Sequence, residues 1–426
     1  MTAKKDWDMF CQKVNRIVDE ELVEYADAGT HGVFVSPTSL QTIVSLFKLA
    51  KKHSVNIFPM GNERRIKRQN VPLDKKTMML GLKNLNQIIQ LDNVSRTVRV
   101  QAGVVGQDLE DTLNKHDYTL GDFPKGMLKS TVGGMLSVRT SGKLSRRHGT
   151  LEDSVVGLTV LSADGHKIST HLSPRRSSGP DLARFFCGSE GMLGIITECT
   201  LKIHKVSETH LLTAWKFEST EHALLAARLA IREEACPSEM EVYSGRAAAL
   251  KVPELGDQGS ASFLFAATSG PTDLANCDRE LLQSAALAAG GEKVENACAE
   301  SWWNALSSNP LDGKQAFQCA CTPGHQASLL QALEKHTKEN QEHLLLLASQ
   351  FDIDGAVFYI SLQNDEATSF DMEANLDSLK EVAKEHGAML TESKITRQES
   401  QLQALRQLLD SENLFGRRTL LEQKQS

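Results

Sequence analysis

Three segments carry residue types that can hold a phosphate or a flat ligand. The first is FPMGNERRIKRQN, residues 58–70. It falls where a strand gives way to a loop, and backbone amides at such junctions can cradle a phosphate. Only Gly61 permits close backbone approach. Glu63 would repel a phosphate, while Arg64, Arg65, Lys67 and Arg68 would attract one; alone, the segment reads as a basic surface loop. The second is GDFPKGMLKSTVGGMLSVRTSG, residues 121–142, in which Ser130-Thr131-Val132-Gly133-Gly134 places two hydroxyls and two glycines at the start of a helix. Helix starts carry unused N–H groups and the positive end of the dipole, which suits an anion or a polarised carbonyl. A capped helix with a packing glycine fits equally well. The third is FFCGSEGMLGIITE, residues 185–198, with Gly188, Gly191 and Gly194 at intervals of three just before a strand. That pattern allows a flat ligand or a tight loop to come close, and alone it is a weak signal.

The surrounding pattern supplies the elements that position these segments. Trp7, Phe10, Val14, Ile17, Val18 and Leu22 recur at helical spacing and predict a helix over 6–27. VFVSPTSLQTIVSLFKLAKKHSVNIFPMG reads strand, turn, helix, strand, loop, with Ser36-Pro37-Thr38 as the helix start and Lys51, Lys52 and His53 at its basic end. TVRVQAGV alternates as a half-buried strand does, and a helix follows at 107–116. Asp164-Gly165 suits a two-residue hairpin turn. Beyond about 206, helical patterns at 221–235, 271–289 and 369–387 alternate with β-like runs such as SFLFAATS and GAVFYISL.

Composition narrows the function classes. The chain has 426 residues, 40% of them hydrophobic and 24% charged, with a formal net charge of -7. Two to three domains and a globular class are expected. The acidic balance argues against a nucleic-acid partner. No apolar run is long enough to span a membrane. The N-terminus reads as neither a signal nor a transit peptide, so the expected location is cytoplasmic. Eight cysteines without a CxxC pair read as free thiols, and no histidine or cysteine spacing suits a metal. Trp302-Trp303 reads as packing or as the lining of a substrate channel.

Taken in order and spacing, the three segments resemble the FAD-linked oxidase family, whose FAD-binding domain is of the PCMH/vanillyl-alcohol-oxidase type. The alkyl-dihydroxyacetonephosphate synthase and D-lactate/glycolate dehydrogenase group is nearest by motif. The shared pattern runs through Met60 to Ile66, Ser130 to Gly142, Arg147-His148-Gly149 to Glu152-Asp153, and Pro180 to Glu198. The resemblance implies an α+β fold: an N-terminal helix (1–32), an FAD-binding domain of two subdomains (33–205) and an α+β cap (206–426). It implies FAD contacts at Met60, Gly61, Asn62, Arg64, Arg65, Lys125, Ser130, Thr131, Gly133, Gly134, Val138, Arg139, Thr140, Ser141, Glu190, Gly191, Leu193, Gly194 and Ile196.

Two departures stand out. Relatives carry a GGGTS-like run where this chain has Gly61-Asn62-Glu63-Arg64-Arg65. Relatives also carry a histidine-rich HHG stretch in the cap, where this chain has Thr391-Glu392-Ser393-Lys394. Glu392 and Lys394 are then the catalytic candidates, as a base with a shifted pKa. The expected function is FAD-dependent oxidation of a small hydroxy acid or related substrate. The alternative is a catalytically degenerate relative serving as an accessory subunit or binding protein. The expected partners are a small-molecule substrate and either a second copy, as a homodimer, or an oxidase complex.

Overall fold

The computed structural model describes the chain except residues 1, 27–30, 63–75, 122–128, 140–141, 143–144, 171–178, 257, 260, 306–310, 312–315, 341, 364–368, 391–398 and 416–426, and the side chains of 2–4, 369–374 and 399–402. Two compact units emerge: Met1–Gly142 with Gly149–Lys205 and Lys394–Ser426, and Lys143–His148 with Val206–Ser393.

The first unit holds two larger sheets and a two-stranded one, Tyr118–Thr119 with His204–Lys205. In one, the strands run in the order Val23–Tyr25, Gly32–Val35, Thr77–Gly81, Asn56–Met60, the last three parallel. Parallel neighbours need a crossover, and helix Leu40–Lys52 supplies one. Ser39 caps that helix by accepting from the Thr42 amide at 3.1 Å, so its start lies just beyond the expected Ser36-Pro37-Thr38. Ser36 is buried instead, and its carbonyl accepts from Asn84 at 2.7 Å.

The N-terminal helix is Thr2–Ile17, shorter than the apolar spacing predicts. Trp7, Phe10, Val14 and Val18 do enter the core. The chain beyond 17 leaves the helix because Val23–Tyr25 pairs antiparallel with Val33–Val35. Helix Glu399–Leu409 and the residues after it also belong to this unit, unlike a cap running unbroken to 426. Ile57 donates to the Leu414 carbonyl at 2.6 Å, and Phe415 packs edge-on to Phe47. Asp410 fixes that turn by accepting from the Leu414 and Phe415 amides.

The second sheet of this unit is antiparallel, in the order Ile88–Asp92, Thr97–Gln101, Ile195–Lys202, Val155–Leu161, Lys167–Ser169. Alternation sends Val98, Val100, Leu158, Val160, Cys199 and Leu201 inward, and leaves Arg99 paired with Glu198 on the other face. The expected hairpin is present, but its loop is 162–166 rather than two residues. Asp164 takes a bond from the Ser162 hydroxyl, and Gly165 adopts φ +82°.

The second unit is one eight-stranded antiparallel sheet. Its central strands are Thr209–Phe217, Ser262–Gly270, Glu239–Ser244, His343–Asp352, Gly355–Gln363 and Ala316–Cys321. Helices Thr220–Arg232, Thr272–Ala288, Pro323–Glu339 and Ser369–Glu385 cover one face. The opposite face is aromatic, with Tyr243, Phe263, Phe265 and Trp302 fully buried.

Candidate functional site

The three segments singled out from sequence converge in the first unit. Asn62 donates its side-chain amide to the Lys129 carbonyl at 2.8 Å. A Cβ on Gly61 would meet the Thr131 hydroxyl at 2.6 Å. Gly188 N–H donates to Leu136 O at 3.0 Å, and Glu190 N–H to Ser137 O at 2.9 Å. These bonds tie the third segment to the end of helix Val132–Ser137. Gly191, at φ +81°, lies against the Pro59 ring with no room for a Cβ. The strand end at 59–61, the helix at 130–137 and the loop at 188–194 therefore meet in one place.

The helix start does not do what its sequence suggested. Val132 N–H donates to Val104 O at 2.8 Å and Gly133 N–H to Ala102 O at 2.8 Å. Gly134 N–H is capped by the Thr131 hydroxyl at 3.2 Å. The first amides of this six-residue helix are thus engaged by the protein itself, and its N-terminus is not an anion site. Gly133 is a packing glycine, since a Cβ there would meet the Ala102 Cβ at 2.6 Å. The unengaged donors lie beside the helix: among the described residues, the amides of Gly61, Ser130, Thr131, Gly191, Leu193 and Gly194 donate to no protein acceptor.

Side chains of several expected contacts face inward. Met60 is buried in a small cluster with Phe34, Phe58 and Met79. Leu193 and Ile196 join the core of the antiparallel sheet, so these positions can meet a ligand only through their backbone. Arg139 and Glu190 hold left-handed backbone at φ +50° and +48°, a conformation that costs a non-glycine residue. Arg139 donates its Nε to Glu152, which is buried, and its aliphatic stem covers Gly188. Val138 is half-buried beside it. Arg64, Arg65, Lys125, Thr140, Ser141, Glu392 and Lys394 lie outside the described residues.

Sequence reading missed the ties that hold these segments. Pro59, the Asn62 amide and the Glu152 carboxylate are ordinary residue types whose partners are distant in the chain. Glu110 is another. It accepts from Leu120 N–H at 3.0 Å and from the Thr119 hydroxyl, fixing the chain just before Gly121. Burial raises its pKa above the usual carboxylate range, against the pull of the Thr119 and Leu120 bonds. Cys187 offers no nucleophile here, because burial pushes its thiol up to about 12.

The second unit has its own buried polar cluster. Glu241 accepts from the Tyr243 hydroxyl at 2.5 Å and from Trp302 Nε1 at 2.6 Å. Trp302 stacks on Phe265 at 5.5 Å and is fully buried. It is a packing residue and lines no channel. All eight cysteines are free thiols, with Cys236 and Cys277 exposed.

Residues 32–171 match the FAD binding domain family. The chain is 34% identical over 192 residues to alkyldihydroxyacetonephosphate synthase of Caenorhabditis elegans, a stretch covering 44% of this chain and 32% of that protein. It is 28% identical over 208 residues to the glycolate oxidase subunit GlcD of Bacillus subtilis, covering 49% and 44%. These matches thus span less than half of either relative's length. A solved alkyldihydroxyacetonephosphate synthase superposes with a TM-score of 0.76 at 18% identity, over 97% of this chain and 85% of that one. p-Cresol methylhydroxylase superposes at 0.70 with 14% identity, over 96% of each. The residues present fit FAD: six unengaged amides surround a junction where Gly61 and Gly191 leave no room for a Cβ, and such turns hold a dinucleotide through the backbone. The chain carries an FAD-binding domain over residues 32–171, its fold is of the PCMH type, and FAD is its cofactor.

Proposed function

We propose that this flavoprotein is an FAD-dependent oxidoreductase acting on a small hydroxy acid or a related hydroxyl-bearing substrate. The observation that carries the reading is the set of unengaged amides where the three segments meet. The glycolate oxidase relative supports the substrate class. When bound, FAD supplies the two-electron acceptor, and the protein supplies binding and orientation. Gly61, Ser130, Thr131, Gly191, Leu193 and Gly194 hold the cofactor by backbone N–H. Thr131 also keeps helix Val132–Ser137 capped, and the Arg139–Glu152 pair keeps the 188–190 loop in register with it.

The test is the visible spectrum of the purified protein, followed by anaerobic addition of glycolate and D-lactate. Stoichiometric flavin bands that bleach on addition support the reading, and a colourless protein that cannot be reconstituted with FAD sinks it. A second reading rests on Thr391-Glu392-Ser393-Lys394, which stands where relatives carry histidines: an accessory subunit or binding protein that holds FAD without turnover. Intact flavin bands that no hydroxy acid bleaches would favour it.

A further inference from the structure

The antiparallel sheet of the first unit keeps its core on one face and a cavity on the other. Alternation sends Val98, Val100, Leu158, Val160, Cys199 and Leu201 into the core, and so puts Arg99, Gly157, Thr159, Glu198 and Thr200 on the opposite face. Ile168 packs against the same core, which places its neighbours Lys167 and Ser169 on that outer face as well. Thr159 stands directly opposite Ser169 on one side and Glu198 on the other. Thr200 stands opposite Gly157 and Arg99. Residues so paired have Cβ atoms about 5 Å apart. Gly157 has no side chain, so the surface dips there, and these residues line a cavity of about 200 Å³.

The lining is rich in donors that have nothing to bond. Thr159 and Thr200 are each only 8% exposed, and a polar group in so buried a residue ordinarily has a partner. Among the described residues their hydroxyls have none, nor do the Ser169 hydroxyl and the exposed Lys167 ammonium. Arg99 gives Nη2 at 2.5 Å and Nε at 3.2 Å to one oxygen of Glu198. That pair neutralises the carboxylate and leaves Arg99 Nη1 without a described acceptor. The cavity therefore holds two cations against one anion, and the surplus charge is that of Lys167.

We infer that this cavity binds a tetrahedral oxyanion: inorganic phosphate or sulfate, or the phosphoryl end of an ester. Ammonium and guanidinium groups only donate, and hydroxyls can, so the ligand must accept from several directions at once. The donors come from four neighbouring strands, which suits oxygens arranged as a tetrahedron better than the two coplanar oxygens of a carboxylate. The surplus positive charge selects an anion, and bonds from charged donors are the stronger kind. The cavity shares no residue with the flavin junction, so the inference stands apart from the proposed function.

The experiment is calorimetric titration of the full chain with sodium phosphate, sodium sulfate and phenyl phosphate at constant ionic strength. Excess FAD is present throughout, so that the cofactor's own phosphate contacts are filled, and sodium chloride is the control. Phosphate or sulfate should bind and chloride should not. Lys167→Ala, at an exposed position, should weaken oxyanion binding roughly 10- to 100-fold, the loss of a charge-assisted contact. Lys167→Arg should recover part of it. Thr159→Val keeps the branched shape and should weaken binding roughly three- to tenfold. The thermal midpoint of that variant without ligand should not fall, which separates lost binding from lost fold. Lys202→Ala removes a cation from the same face of the sheet but not from the cavity lining, and should leave binding unchanged. Phenyl phosphate binding more tightly than phosphate identifies the ligand as an ester, and weaker binding identifies the free ion. The site is overturned if no oxyanion binds or if chloride gives the same heat. It is also overturned if Lys202→Ala costs as much as Lys167→Ala, or if Lys167→Ala and Thr159→Val both bind as the parent does.

Discussion

The flavin junction in the first unit and the polar cluster in the second are built in opposite ways. The junction is made of backbone: unengaged amides, glycines without room for a Cβ, and short ties such as Glu190 N–H to Ser137 O. The cluster in the second unit is made of side chains from a strand and a helix, with Glu241 between Tyr243 and Trp302. A backbone site forces glycine and small hydroxyl residues into fixed spacing, and so leaves a mark in the sequence. A side-chain site uses common residue types from distant positions, and leaves almost none. The flavin junction and the Glu241 cluster should also fail differently, the first by losing ligand and the second by losing fold.

The largest effect is expected at Glu241. Glu241→Ala leaves Trp302 Nε1 and the Tyr243 hydroxyl without their acceptor inside an aromatic core. Burial, with the adjacent Glu241 charge, already holds the Tyr243 hydroxyl well above its usual pKa, so it cannot ionise to escape. The expected loss is roughly 3–5 kcal/mol, from two charge-assisted bonds and a cavity, read as the urea midpoint followed by near-ultraviolet circular dichroism. A loss under about 1 kcal/mol, the worth of an exposed contact, would mean the cluster is not what holds helix Asn296–Asn304.

The next effect is at Gly191, and it should show as ligand loss. Gly191→Val puts a β-branched residue at φ +81° against the Pro59 ring. Strain of about 1–3 kcal/mol is expected, and the ratio of flavin to protein absorbance after dialysis should fall well below the parent's. An unchanged ratio would remove the 188–194 loop from the cofactor's surroundings. Gly133→Leu makes the contrasting case. The Ala102 Cβ at 2.6 Å and its carbonyl at 3.1 Å block a Cβ there, so it should unfold the unit and not merely empty it.

A smaller effect is expected at Thr131, where the hydroxyl caps Gly134 N–H. Thr131→Ala should cost about 1 kcal/mol and Thr131→Ser should restore it, both read as thermal midpoints. If serine fails to restore stability, packing of the Thr131 methyl outweighs the cap.

The same contrast explains what could be read from residues alone. The STVGG run and the Gly188, Gly191, Gly194 triplet marked the junction because their spacing is a backbone requirement. Even there, which amides are unengaged was not readable, since Val104 and Ala102 accept the bonds from Val132 and Gly133 and nothing in STVGG announces that. The helix expected over 6–27 ended at Ile17 because strand pairing by Val23–Tyr25 outcompeted local periodicity. Strands Glu239–Ser244 and Ala316–Cys321 alternate, but over only six residues each, too short a run to declare itself. Glu241 and Trp302 lie 61 positions apart in the sequence, and only the fold brings the carboxylate to the indole N–H.

The smallest effect sharpens the comparison through pH. Asp153, in the first unit, accepts from Thr150 N–H at 3.0 Å, the Thr150 hydroxyl at 2.9 Å and Arg184 at 2.7 Å. Partial burial pushes its pKa up, but the Thr150 bonds and the Arg184 charge pull harder, and the net shift is downward. A carboxyl whose folded pKa is depressed adds stability above its unfolded pKa, near about 4 for aspartate, and loses it as pH falls through the folded value. Stability should therefore decline on the acid side, and Asp153→Asn should flatten that limb while lowering stability at neutral pH. Asp153 is 42% exposed and Arg184 55%, so solvent screening limits the effect to roughly 0.5–1 kcal/mol. Urea midpoints of parent and variant, compared between neutral and strongly acid pH, measure it. Parallel pH curves would mean that Asp153 is equally ionisable in the folded and unfolded chain, and that the turn at Gly149 is held by its φ of +77° and not by the carboxylate.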